Sequence, residues 1–258
     1  MKKHIAFLTL AAALLLGSCV KNPDSDRVHL TITASSESTK TALGESIDGF
    51  RSIRWEKGDA IKVFYGNNDS DFAIVQASDE GITTTFSLEV PATAQKLYAV
   101  YPATAQASFS NGVITVTVSA FQDGKFSAAN LAVACSSASN ASFSFKHVCS
   151  YVLTEIADDN IHKMTLTASG QNLSGTVPVT LSESGELSFG TVTDASSTVS
   201  ARFESAGQPI LAILPGVSFT NGASLEFFNA DGDPVSSHSI KKDFTLNRGS
   251  LLNIGKPE

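Results

Sequence analysis

The chain is poor in several things that a functional site usually needs. It has one Trp and four Tyr among 258 residues. That is a thin supply of flat rings for stacking sugars or bases. Charged residues make up 17%, and the formal charge is -7. So little charge excludes a coiled coil, and an acidic balance argues against a nucleic-acid binder. Only three Cys are present, and no Cys-x-x-Cys, so a structural zinc site is not written in the sequence. Gly-x-Ser-x-Gly, His-Glu-x-x-His, a P-loop and a dinucleotide glycine pattern are all missing. His29, His147, His162 and His238 are scattered without metal-ligand spacing. The reading is of a non-enzyme with no cofactor and no metal. Asn67 to Asp71 and Asp231-Gly232-Asp233 supply oxygen atoms of the kind Ca²⁺ takes, but neither completes an EF-hand loop. They read as solvated turns.

What the chain has in excess is small hydroxyl residues. Ser (35) and Thr (22) fill 57 positions, while 42% of residues are hydrophobic. This is too apolar for disorder and long enough for one large or two small domains.

One long apolar run exists, at the start. Lys2 and Lys3 precede Ile5 to Leu16, twelve residues interrupted only by Thr9. That length fits a signal-peptide core and is too short to span a bilayer. Leu16-Gly17-Ser18-Cys19 follows and resembles the lipobox of bacterial lipoproteins. The resemblance implies a signal peptide over 1–18 and acylation of Cys19, which becomes the new N-terminus. Two or three acyl chains hold a protein on a membrane where one does not. Without the leader, 240 residues remain, and 16 basic residues face 25 acidic ones, a charge of -9. Residues 19–27 read as a lipidated polar tether.

Beyond the tether, period-2 alternation replaces any helical period. Ile114, Val116 and Val118 alternate with Thr115 and Thr117; Met164, Leu166 and Ala168 alternate with Thr165 and Thr167. β-Branched Thr suits the wet face of a strand. Asn111-Gly112 and Asn221-Gly222 mark type I′ hairpins. Pro178 cannot donate to a ladder, which predicts an edge strand there. Many short strands with close turns give an all-β class built of sandwiches. The small, aperiodic stretch Ser136 to Ser142 suggests a boundary, dividing the body into 28–140 and 141–258.

Cys135 and Cys149 fall on either side of that boundary, and export permits a disulfide. Closing so short a loop stabilises by about 3 kcal/mol in the chain-entropy model. The alternative is two thiols serving as small apolar residues.

An ordered set of segments now stands out. Thr39-Lys40-Thr41 is followed by Ile53-Arg54-Trp55-Glu56-Lys57-Gly58-Asp59, then Leu97-Tyr98-Ala99-Val100-Tyr101-Pro102. Phe145-Lys146-His147-Val148-Cys149-Ser150-Tyr151 comes next, and Phe244-Thr245-Leu246-Asn247-Arg248-Gly249 leads into Ser250 to Ile254. Behind a lipobox, this set resembles the fimbrillin family of bacterial surface lipoproteins. The resemblance implies two tandem transthyretin-like β-sandwich domains. It implies a surface-exposed, lipid-anchored protein of the outer membrane, with other fimbrial subunits and host or bacterial surface ligands as partners. It further implies proteolysis after an Arg near the start, loss of the first strand, and its replacement by a neighbour's strand, a form of β-augmentation. Arg27 precedes the first expected strand, so Arg51 and Arg54 are the candidate processing sites. The chain closes four residues after Ile254, which points to a minor or tip-like subunit. A glycan-binding surface lipoprotein is the alternative. Trp55, on one strand face with Ile53, reads as core.

Overall fold

The computed structural model describes residues 26–37, 39–40, 50–51, 54–182, 184–220, 222–241 and 243–256. Cys19 with its leader, and Asn221, lie outside them. The fold is all-β, with 55% of residues in strands and 2% in helix. Among the described residues, the one helix is the four-residue turn Phe126–Ala129.

The N-terminal part forms a seven-stranded sheet. Its spatial order is Phe72–Gln76, Ala60–Phe64, Lys96–Tyr101, Ala132–Ser137, Ser142–His147, Arg27–Ser36, Thr83–Pro91. The first strand in sequence, Arg27–Ser36, is therefore internal. It runs antiparallel to Thr83–Pro91 from Arg27↔Pro91 to Ser35↔Thr83, and parallel to Ser142–His147 from Thr33↔Ser142 to Ser36↔Phe145. Beyond the two outer strands, Ser78 donates its N–H to Thr85 O at 3.0 Å, and Trp55 exchanges backbone hydrogen bonds with Gly81 at 2.7 and 3.0 Å. The sheet thus curls round one apolar cluster containing Ile32, Trp55, Ile61, Phe86 and Phe145. Trp55 is 4% exposed and meets Phe86, Tyr101 and Phe145 edge-on at 5.2–5.5 Å. It is a core residue, as its strand context predicts.

The sheet's other face belongs to a second cluster. Phe64, Val100 and Val133 pack there with Ile114, Val116, Val177, Val179 and Tyr151. A third cluster holds Met164, Leu166, Val199, Leu225 and Phe227. Strands Ser150–Leu153 and Ile210–Ile213 separate the second and third. Tyr151, Leu153, Ile210 and Ala212 point into one, while Val152, Leu211 and Ile213 point into the other. Burial on both faces explains why these strands are continuous apolar runs and not alternating ones.

Two expectations are corrected by this topology. The division at 140/141 falls inside one sheet, because Ser142–His147 pairs with Ala132–Ser137 and with the first strand. The small polar stretch before it is a hairpin turn, with Ala141 at φ 40°, and not a linker. Strand Val113–Val118 also pairs with Ser174–Leu181 from the later half. Pro178, second, is not on an edge. Its strand lies between Val113–Val118 on one side and Leu187–Phe189 with Thr193–Ser196 on the other. Pro178 sits opposite the gap between those last two strands, between Val179↔Phe189 and Thr176↔Thr193, so its missing N–H breaks no ladder bond there. The Asn111-Gly112 hairpin forms as read, with φ of 49° and 84°, the left-handed pair that a type I′ turn needs.

Candidate functional site

The first strand presents a clean two-sided pattern. Ile32 and Ala34 are fully buried and Leu30 half-buried, while His29, Thr31 and Thr33 are exposed. The strand supplies apolar side chains to the first cluster and hydrogen bonds to a neighbour on each side. Its removal would leave a groove between Ser142–His147 and Thr83–Pro91 with two unpaired edges.

The candidate processing sites stand just downstream. Arg51 ends the short strand Phe50–Arg51, paired with Thr39–Lys40. Arg54 is exposed and directly precedes Trp55. Trp55 is pinned by its hydrogen bonds to Gly81 and by the surrounding rings. A cut after either Arg therefore severs the first strand from the chain while the core begins intact at Trp55. Arg27 instead lies at the first strand's start, where its guanidinium donates to Glu89 O at 2.9 Å.

A polar knot closes the end of this strand. Glu37 donates its backbone N–H to Phe145 O at 3.1 Å. Its carboxylate accepts from both terminal nitrogens of Arg248, the second at 3.4 Å. It also accepts from the backbone N–H of His147 at 2.7 Å and faces Lys146 Nζ at 3.5 Å. Arg248 donates in addition to His147 O at 3.0 Å. The imidazole Nε2 is 3.1 Å from Glu37 O, a carbonyl, so Nε2 carries the proton. That leaves Nδ1 facing the buried Tyr151 hydroxyl at 3.3 Å, whose one proton also has Asn130 Oδ1 within reach at 3.4 Å.

Burial opposes charge on the Glu37 carboxyl, but the Arg248 hydrogen bond, the His147 N–H and the Arg248 charge outweigh it and hold the pKa below the usual value. Burial drives the His147 pKa down; Glu37 opposes this, and the charges of Arg248 and Lys146 add to the fall. The imidazole is neutral and the carboxylate ionised.

In the sequence His147 stands out only as one of four scattered histidines and as part of a longer segment, Arg248 only as part of another segment, and Glu37 not at all. The three lie 110 and 211 residues apart along the chain, beyond the reach of local pattern.

Cys135 and Cys149 are both free. The ladder places Ala132 opposite His147, which sets the two cysteines five positions apart, about 17 Å at roughly 3.3 Å per residue. A disulfide needs Cα atoms within about 7 Å, so this register does not allow the expected bridge. Cys149 is buried in the second cluster, and burial pushes its thiol up to about 12. Burial also raises the half-buried Cys135 thiol, against the charge of Lys96.

In the Asn67 to Asp71 turn, Asp69 Oδ1 accepts the Phe109 N–H at 3.1 Å and Asn68 Oδ1 the Ser70 N–H at 2.9 Å. The first ties the loop to strand Ala107–Ser110, and the second serves the loop's own backbone. Among the described residues, no group of three or more His, Cys, Asp or Glu could hold a metal ion, and no helix is long and apolar enough to cross a membrane.

Several solved structures are similar to this chain. The tip fimbrial protein Mfa3 from Porphyromonas gingivalis shares 10% identity and a TM-score of 0.34, covering 83% of this chain and 81% of that one. A candidate cell adhesion protein from Bacteroides thetaiotaomicron shares 14% identity and a TM-score of 0.40, covering 88% and 92%. Another from Bacteroides fragilis shares 14% and a TM-score of 0.42, covering 87% and 91%. No curated protein matches. The pattern of the fimbrillin-like family matches residues 49–253, and with most of its length inside that match the chain belongs to the fimbrillin-like family.

Proposed function

We propose that this chain is a structural subunit of a surface fimbria or adhesin. It is exported, held at the outer membrane by acylated Cys19, and cut after Arg51 or Arg54. A strand from a neighbouring subunit then takes the first strand's place. Family membership supports the class, and one observation carries the mechanism. The strand whose covalent link to the rest passes through Arg51 and Arg54 is an internal strand of its sheet, filling the core with Ile32 and Ala34. Strand replacement works by satisfying such a vacated pair of edges. Within this reading, two sandwich units share the second apolar cluster, the chain passing from one to the other between His147 and Ser150.

N-terminal mass spectrometry of protein purified from the cell surface tests it. A new start at Ser52 or Trp55 in fimbria-associated material supports the reading. A lipidated, uncut Cys19 terminus throughout that material refutes processing, and absence of the chain from fimbriae and adhesive contacts refutes the class. Immunogold labelling then separates a tip position from a shaft one.

One feature favours the glycan-binding alternative. Tyr65 and Tyr98 line a cleft of about 660 Å³ together with Asn67, Asp71, Gln95 and Asn111. Titration with a polysaccharide panel, followed by tyrosine fluorescence, tests it; binding lost in Tyr98→Ala would promote this reading.

A further inference from the structure

Two cations and one backbone N–H converge on the Glu37 carboxylate at the end of the first strand. The side chains of Arg248 and Lys146 are 32% and 27% exposed, and that of Glu37 is 19% exposed. All of these donors belong to parts of the chain that stay when the first strand goes. Glu37 itself lies upstream of Arg51 and Arg54, so it leaves with the strand. What remains is an apolar groove whose far end carries half-buried positive charge and an N–H with no acceptor. Half-buried like charges without a counter-ion are unfavourable, and a fork of guanidinium donors is the geometry that selects a carboxylate.

Resting on the strand-replacement reading, we propose that this end of the groove is a carboxylate-recognition subsite. Its occupant is an Asp or Glu on the incoming strand of another fimbrial subunit. The position of that residue follows from the strand it displaces. Ile32 and Ala34 mark where a large and a small apolar side chain enter the core; Glu37 lies five residues after the first and three after the second. The incoming strand therefore carries a large apolar residue, a small one two residues later, and an acid three beyond that. It runs parallel to Ser142–His147, as the displaced strand does. A bulky residue at the Ala34 register would have to enter the core at a fully buried position, where added volume is destabilising. A strand without the acid would leave two half-buried cations without a counter-ion. Core fit and charge thus discriminate between incoming strands independently, one by shape and the other by an acid in register.

The test uses the full chain with a sequence-specific protease site placed at residues 43–49. After cleavage, a fluorescent peptide with the sequence of residues 27–37 is added in excess, and separately its Glu37→Gln form. Binding is read by anisotropy, and release of the original fragment by mass spectrometry. The expected result is at least about tenfold weaker binding of the Gln peptide, as for a lost charge-assisted contact. On the Arg248→Gln protein, the two peptides should differ by less than about twofold; the comparison on the unaltered protein stands even if that variant fails to fold. Equal binding of the two peptides to the unaltered protein overturns the subsite and leaves strand replacement standing. Retention of the original fragment against excess peptide overturns strand replacement and the subsite with it.

Discussion

Ile32→Ala measures how firmly the first strand is built into the core. Ile32 is fully buried and stands opposite Phe86 in the antiparallel register. The change removes three carbon groups at about 0.8 kcal/mol each, about 2.4 kcal/mol of transfer free energy. A cavity term adds to this where the walls cannot collapse. They have little freedom here, because the strand is hydrogen-bonded on both sides and Phe86 and Phe145 are held by Trp55. The expected loss is about 3–4 kcal/mol, within the usual range for such truncations. Trp55 reports on it directly, being the sole Trp and part of the same cluster. Equilibrium urea unfolding followed by its emission should show a midpoint lower by about 1.5–2 M, which is what that loss gives at a slope of about 2 kcal/mol/M. Val28→Ala is the control. Val28 lies on the same strand but is 40% exposed, and its loss should be about 0.5 kcal/mol or less. If Ile32→Ala costs under about 1 kcal/mol, or no more than Val28→Ala at an unchanged slope, the strand is not packed as an internal strand. Its removal would then open no apolar groove.

Arg248→Met removes two hydrogen bonds to Glu37 and one to His147 O, and should cost about 2 kcal/mol in chemical denaturation after allowance for the partial exposure of the pair. The pH dependence follows from the same knot. The folded His147 has a lowered pKa, so below about 6.5 the unfolded chain binds a proton that the folded chain does not, and stability falls on acidification by up to about 1.4 kcal/mol per pH unit. Glu37 has a lowered pKa as well, so the stability it contributes is present above its unfolded value near 4.5 and is lost as pH falls through the folded one. A melting-temperature profile should therefore decline on acidification, and His147→Gln should flatten the part that begins at about pH 6.5; an unchanged profile in that variant would refute the assignment. For the cysteines, alkylation of the unfolded chain should label Cys135 and Cys149 without a reductant, with Cys149 protected in the folded state. A requirement for reductant would mean that the two are bridged.

The strands were legible where one face is wet. Ile114, Val116 and Val118 are buried and the residues between them half-buried, as alternation with Thr requires. Legibility failed where position along the chain ceased to imply position in space. Ser136 to Ser142 has the composition of both a linker and a hairpin turn, because each favours small residues that bond their own backbone. Pairing of the flanking strands decides between them, and that pairing is not local. The knot at Glu37 has the same origin. Tyr151 pairs in parallel with Leu251. Counting back three residues on both strands sets Val148 beside Arg248. His147 is then one residue away, and the first strand, parallel to Ser142–His147, ends at the same level. Two parallel registers, one on each side of the crossing at His147, are thus sufficient to bring residues 37, 147 and 248 to one point. Neither register is written in hydrophobic period alone, since a slip of two residues would keep every side chain on its own face. Charge distinguishes the alternatives. In a slip of two at either pairing, Arg248 and Glu37 would lie about 7 Å apart along the strands, each half-buried without its partner. The ion pair that the sequence conceals therefore acts against the slips that the sequence permits, and in a chain so rich in interchangeable Ser and Thr it falls to these few charges to fix the register.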